Sequence, residues 1–148
     1  MLKKTPLLVL LLLLVLGACG GVKEKTISGK FGMMDVNTPE YAALQFFDGI
    51  YRGKDITGAL ELSSPKMKRL LQSYRTNRNV QRHVFNMRYD TVEFRPHAGS
   101  AGRNEFAKEI QVSLFFEGEL DGNILKDLRV VKLVRPGGKW LVDEVSLN

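Results

Sequence analysis

What most constrains the fold of this 148-residue chain is a change of hydrophobic period near its middle. The first half carries apolar residues at helical spacing. Thr38-Pro39-Glu40 predicts a helix start: Thr38 can cap, Pro39 suits the first helical position, and Glu40 suits the positive end of the helix dipole. Ala43, Phe46, Phe47 and Ile50 then fall on one face, and Gly53 closes the helix. Ile56, Ala59 and Leu60 predict a second, short helix after Asp55. Ser64-Pro65 repeats the capping pattern, and Met67, Leu70, Leu71 and Tyr74 form a third stripe. His83 falls near the end of this third segment, where partial burial is expected.

The second half alternates. Tyr89 to Arg95 is rich in strand formers, and Glu109 to Glu117 places Ile110, Val112, Leu114 and Phe116 on one face. Asp121-Gly122-Asn123 is a hairpin signal. Leu128 to Arg135 reads as an aliphatic strand, Arg135 to Lys139 as a second turn, and Trp140 to Val145 as a last alternating strand. Helices followed by an antiparallel meander predict an α+β domain, with about three N-terminal helices packed on a four-stranded antiparallel sheet. Gln111, Ser113, Phe115, Val131 and Leu133 are expected on the second sheet face. There Phe115 and Leu133 would offer a surface for a homodimer.

The amino terminus has a different character. Lys3 and Lys4 precede a ten-residue apolar run, Leu7 to Leu16, which small residues end. These are the parts of a secretory signal. A spanning helix needs roughly twenty apolar residues, so removal is expected rather than retention. Leu16-Gly17-Ala18-Cys19 resembles the lipobox of bacterial lipoproteins. The resemblance implies cleavage between Ala18 and Cys19, a diacylglyceryl group on the Cys19 thiol, and a further acyl chain such as palmitate on the new amino group. Several chains hold a protein at a membrane where one anchors marginally. Gly20, in place of an aspartate, favours the outer membrane facing the periplasm. Cys19 is the sole cysteine, so an intrachain disulfide is impossible despite export.

Three regions follow: a signal peptide over 1–18, a lipidated tether over 19–37, and one α+β domain over 38–148. Loss of Lys3 and Lys4 lowers the formal charge from +6 to +4. A flexible tether of this length reaches roughly 20–25 Å. Ile27, Phe31, Met33 and Met34 leave room for part of it to pack on the domain.

Two stretches of the domain resemble nuclear-transport-factor-two-like domains. One runs from Thr38-Pro39-Glu40 through Ala43, Phe46-Phe47, Tyr51, Gly53-Lys54-Asp55 and Ala59-Leu60 to Leu62-Ser63-Ser64-Pro65. The other is the closing Gly138 to Val145. The resemblance implies a strongly curved sheet wrapped around the first helix, making a cone with an apolar cavity. That architecture hosts enzymes such as ketosteroid isomerase and scytalone dehydratase, as well as carriers and scaffolds, so it does not settle function.

An isomerase-like site would need an aspartate base and a second group that stabilises an oxyanion. By residue type, Asp48, Tyr51, Tyr89 and Asp90 are available, but none falls in a matching pattern. No catalytic residue is therefore assigned. Phe47, Tyr51 and Trp140 are candidates to line a cavity, against the plainer reading of ordinary core. His83 and His97 lack ligand partners at workable spacing, so neither a metal nor another cofactor is expected. Seven basic residues lie between Leu62 and Tyr89 without one acid: Lys66, Lys68, Arg69, Arg75, Arg78, Arg82 and Arg88. Such a block suits an anionic partner, and Lys68, Arg69, Arg75, Arg78 and Arg82 are the candidate contacts. Export argues against nucleic acid. Phospholipid or lipopolysaccharide phosphates, peptidoglycan carboxylates or an acidic protein remain. The competing reading pairs these cations with Glu105, Glu109 or Glu117. The expected function is a lipid-anchored, non-enzymatic binding module for an envelope component. The alternative is a carrier or isomerase/dehydratase-like enzyme for a small apolar molecule.

Overall fold

The computed structural model describes residues 31–32, 34–97 and 106–147. It has two layers, helices over one face of a curved antiparallel sheet. The helices come first: α1 (Pro39–Tyr51), α2 (Thr57–Glu61), α3 (Pro65–Tyr74) and the one-turn α4 (Asn77–Asn79), which runs into a π-helical turn over Val80–Val84. Strands β1 (Thr91–Pro96), β2 (Glu109–Leu120), β3 (Asn123–Val134) and β4 (Leu141–Leu147) pair in chain order, each antiparallel to the next.

Two helix starts are where the capping residues put them: Thr38 Oγ1 accepts from the Tyr41 amide at 3.3 Å, and Ser64 Oγ from Met67 at 3.2 Å. The short α2 starts behind Ile56 without a side-chain cap, and Asp55 Oδ1 accepts locally from Thr57 at 2.8 Å. Ser64 also ties helix to sheet. Its hydroxyl donates to Asp143 Oδ1 at 2.6 Å, and its amide donates to the Val142 carbonyl at 2.9 Å. The Val142 amide in turn donates to Leu62 at 2.7 Å. The α2–α3 junction is thereby fixed to the edge strand β4.

The third helical segment is not continuous. Arg75 adopts a left-handed φ of 65°, and the helix restarts behind Thr76, whose hydroxyl accepts from Asn79. Asn77 and Asn79 turn their side-chain amides onto backbone carbonyls of Gly49, Gly53 and Tyr74. Asparagine competes with helical hydrogen bonding in this way. His83, on the π turn, is exposed rather than partly buried, with its ring stacked on Tyr74 at 5.9 Å.

Asp121 and Gly122 both have positive φ, 51° and 78°, the signature of a two-residue hairpin turn. Pairing therefore begins at once, with Leu120 opposite Asn123, and β3 starts five residues before Leu128. The register puts Val112, Leu114 and Phe116 opposite Val131, Arg129 and Asp127 on the inner face. Val131 and Leu133 are fully buried there, so they belong to the core and not to the second face. Phe115 does lie on the outer face, opposite Leu128, under the Arg95 guanidinium at 4.8 Å.

Phe46, Phe47 and Ile50 of α1 are fully buried against this inner face. Phe47 meets Phe116 edge-to-face at 4.9 Å and Phe46 at 5.2 Å, with Phe85 at 5.5 Å. Edge contacts of this kind add about 0.5–1.5 kcal/mol each to simple burial. Phe31 and Met34, from the stretch read as a tether, also pack here, Phe31 against Tyr41 at 5.9 Å and Phe94 at 6.3 Å.

The α1–α2 crossing depends on Gly49. A Cβ there would lie 2.8 Å from the Ala59 amide nitrogen, whereas one on Gly58 would meet only the Gly49 Cα at 3.8 Å. Gly49→Ala should therefore lower stability by about 1–3 kcal/mol through overpacking. Gly58→Ala should be neutral or raise it by about 0.4–1 kcal/mol. Urea midpoints of the two variants test the pair, and equal losses would contradict this packing.

Candidate functional site

The acid-free basic segment spans α3, α4 and the π turn. Met67 and Leu71 face the core, which turns Lys68 and Arg69 outward. Arg75 ends α3, Arg78 lies in α4 and Arg82 in the π turn, all three exposed. The Tyr74–His83 stack holds the end of α3 against that turn.

Two cations of the segment are engaged by acids. Lys66 Nζ reaches Glu144 at 2.8 Å and Asp143 at 3.8 Å. This hydrogen bond raises the Lys66 pKa and lowers that of Glu144. Arg88 lies 3.8 Å from Asp121. Lys68, Arg69, Arg75, Arg78 and Arg82 make no ion pair among the described residues. The acids expected to neutralise them are used elsewhere: Glu109 takes Lys132 at 2.9 Å and Glu117 takes Lys126 at 3.4 Å. Glu105, Ala18, Cys19 and the whole signal segment lie outside the described residues.

The other candidates are dispersed. Asp48 bonds Arg52 at 3.1 Å across one helical turn. Asp90 closes the β2–β3 hairpin, its Oδ2 accepting from the Asp121 amide at 2.9 Å. His97 is exposed at the end of β1, its amide donating to Ser113. Among the described residues no group of His, Cys, Asp and Glu is placed to hold a metal ion, and no helix is long and apolar enough to cross a membrane.

Phe47 and Tyr51 stack on each other at 6.4 Å, and Trp140 lies apart from them, against Arg135. Phe47 is 0% exposed inside the aromatic cluster. Trp140 lies under Arg135, whose guanidinium stands 5.3 Å from the ring. It lines a groove of about 590 Å³ between α1, α2 and the β3–β4 turn, with Tyr41, Gln45, Asp48 and Lys139.

Tyr51 belongs to a polar cluster that sequence reasoning missed. Its hydroxyl donates to the Met87 carbonyl at 2.7 Å, and its ring meets Tyr89 at 5.9 Å. Beside the two phenols, Arg129 Nη2 and Nε hold Asp127 Oδ2 at 2.6 and 3.1 Å. Arg129 is only 8% exposed, on the inner face of β3. Burial pushes the Tyr51 phenol far above the ordinary tyrosine value; Tyr89 adds to this and Arg129 opposes it. Burial, then the Asp127 charge, raises Tyr89. Both hydroxyls stay neutral near pH 7, and that of Tyr51 is a donor. The signal for this cluster was the two-residue spacing of Asp127, Arg129, Val131 and Leu133, which places charges and core on one face.

No protein-family model matches this chain, and no curated protein is similar to it by sequence. Among solved structures, the chain is similar to TerC co-crystallised with polyporic acid, at 16% identity and a TM-score of 0.44, over 75% of this chain and 92% of that one. A likeness at that level carries no inference about ligand or activity.

The Tyr51 environment has a pH consequence. A phenol whose pKa is raised by folding stabilises the fold fully below about pH 10, and that stabilisation declines as the pH climbs toward the folded-state value. Tyr51→Phe should lose about 1 kcal/mol at neutral pH with the Met87 hydrogen bond. Its urea midpoint should then fall less steeply than the parent's as the pH rises above about 10. Parallel declines would contradict the burial of this phenol.

Proposed function

We propose that this chain is a lipid-anchored envelope protein whose folded part, a nuclear-transport-factor-two-like cone, is a non-enzymatic module that binds an anionic envelope component through its basic helical face. One observation carries the reading: Lys68, Arg69, Arg75, Arg78 and Arg82 are exposed and make no ion pair among the described residues. Lysine and arginine heads left free in water are ready for phosphate or carboxylate, and arginine can engage either with two parallel hydrogen bonds.

Other features support it. Leu16-Gly17-Ala18-Cys19 supplies the lipobox, which would keep the domain within a tether's reach of a membrane, with the outer membrane facing the periplasm as the proposed location. Helices before an antiparallel meander, stapled at Ser63 and Val142, agree with the cone. Its interior is occupied by Phe46, Phe47, Phe85, Phe94 and Phe116. That filling counts against the carrier or isomerase-like reading, which needs an open apolar cavity.

In-cell crosslinking of the tagged full chain tests the proposal. The parent should capture an anionic species, and Arg75→Glu/Arg78→Glu/Arg82→Glu should reduce capture by about tenfold or more, the equivalent of about 1.4 kcal/mol. Undiminished capture by a variant with an unchanged circular dichroism spectrum would overturn it.

A further inference from the structure

Three cations from three different elements meet beside the β2–β3 hairpin. Arg82 comes from the π turn, Arg88 from the segment entering β1 and Lys126 from β3, and all three line one cleft of about 400 Å³. That volume is in the range of small-ligand sites. Tyr89 and Asp127 also line it, and so does Leu125, which is 40% exposed.

The backbone makes this convergence possible. The π turn closes with the Phe85 amide donating to the Val80 carbonyl at 3.2 Å. Asn86, two residues before Arg88, takes a φ of 50°. Both are departures from regular geometry that a chain seldom adopts. Together they bring Arg82 and Arg88 to the same opening. Gln81 Nε2 fixes the turn from behind, donating to the Ile50 carbonyl at 2.9 Å.

The charge in this cleft is only partly neutralised. Arg82 makes no ion pair among the described residues. Arg88 and Lys126 face Asp121 at 3.8 Å and Glu117 at 3.4 Å. Both pairs are exposed and longer than the 2.8 Å Lys66–Glu144 bond, and such pairs yield readily to a better anion. Asp127, the one acid lining the cleft, is already neutralised by buried Arg129 at 2.6 Å. Net positive charge therefore faces an opening that also presents the apolar surface of Leu120 and Leu125.

We infer that this cleft binds the phosphate ester of an anionic amphiphile, with the phosphate on Arg82, Arg88 and Lys126 and the adjoining apolar part on Leu120 and Leu125. The inference rests on the basic face as the working surface and narrows it to one site and one ligand class.

The test is calorimetric titration of the full chain, held in neutral detergent, with a short-chain phosphatidic acid and with glycerol phosphate. Phosphatidic acid should bind, and glycerol phosphate should bind about tenfold more weakly or worse. Arg88→Gln/Lys126→Gln should weaken phosphatidic acid about tenfold, and the charge-preserving Arg88→Lys/Lys126→Arg should recover most of the loss. Lys54→Gln, an exposed cation outside the basic face, should leave binding within about threefold. If Arg75→Glu/Arg78→Glu, on the basic face but outside the cleft, abolishes binding and the cleft pair does not, the cleft is overturned while the basic-face reading stands. Equal binding of glycerol phosphate overturns the amphiphile and assigns a soluble phosphate ester. Failure of both ligands overturns the cleft, and the crosslinking result then decides the broader reading separately.

Discussion

The fold depends on one contact: the buried face of α1 laid on the inner face of the sheet, with Phe47 at its centre. Phe47 touches rings from α1, from the segment after the π turn, and from β1 and β2. Four stretches distant in sequence therefore share one side chain, and truncating a residue so placed costs about 3–5 kcal/mol. The other arrangements follow from seating this helix. Gly49 lets α2 cross closely, and Asn77 and Gln81 satisfy carbonyls at the end of α1. Asn77 Oδ1 is buried without a hydrogen-bond partner among the described residues.

A core built this way is filled with side chains, and the surface proposed to bind lies outside it. Rings packed at 4.9–6.4 Å around Phe47 leave one polar cluster at an end of the interior, where Tyr51, Tyr89, Asp127 and Arg129 meet. Arg129 and Asp127 neutralise each other and the Tyr51 hydroxyl is held by the Met87 carbonyl, which rigidifies that end. What they support lies just outside: the π turn, the segment entering β1 and the hairpin, each bearing a cation. The capping that seats α1 thus also fixes the position of Arg82.

Local features of the sequence carried much of this architecture. Thr38 and Ser64 cap helices because their side chains act within three residues, and Asp121-Gly122 turns because its backbone preference is local. The inner alternation of β2 was equally legible. Features set by distant partners were not. The break at Arg75 is fixed by Asn77 reaching the end of α1, a contact more than twenty residues away. Alternation within β3 alone leaves the face of Val131 and Leu133 open, because only the pairing with β2 puts them in the core. The same open register hid Asp127 and Arg129. The basic segment is readable as a composition, but which of its cations stay unpaired depends on distant contacts: Lys66 and Arg88 take acids, while Glu109 and Glu117 go to Lys132 and Lys126.

The central claim is that the packed interior holds the fold while an outer basic surface binds. Amide chemical-shift mapping of the isotope-labelled full chain in detergent, titrated with an anionic lipid, tests this most directly. The account predicts shifts confined to the π turn, residues 86–89 and the start of β3, with Phe46, Phe47 and Phe116 unmoved. Shifts centred on those three phenylalanines would place the ligand inside the fold and contradict it.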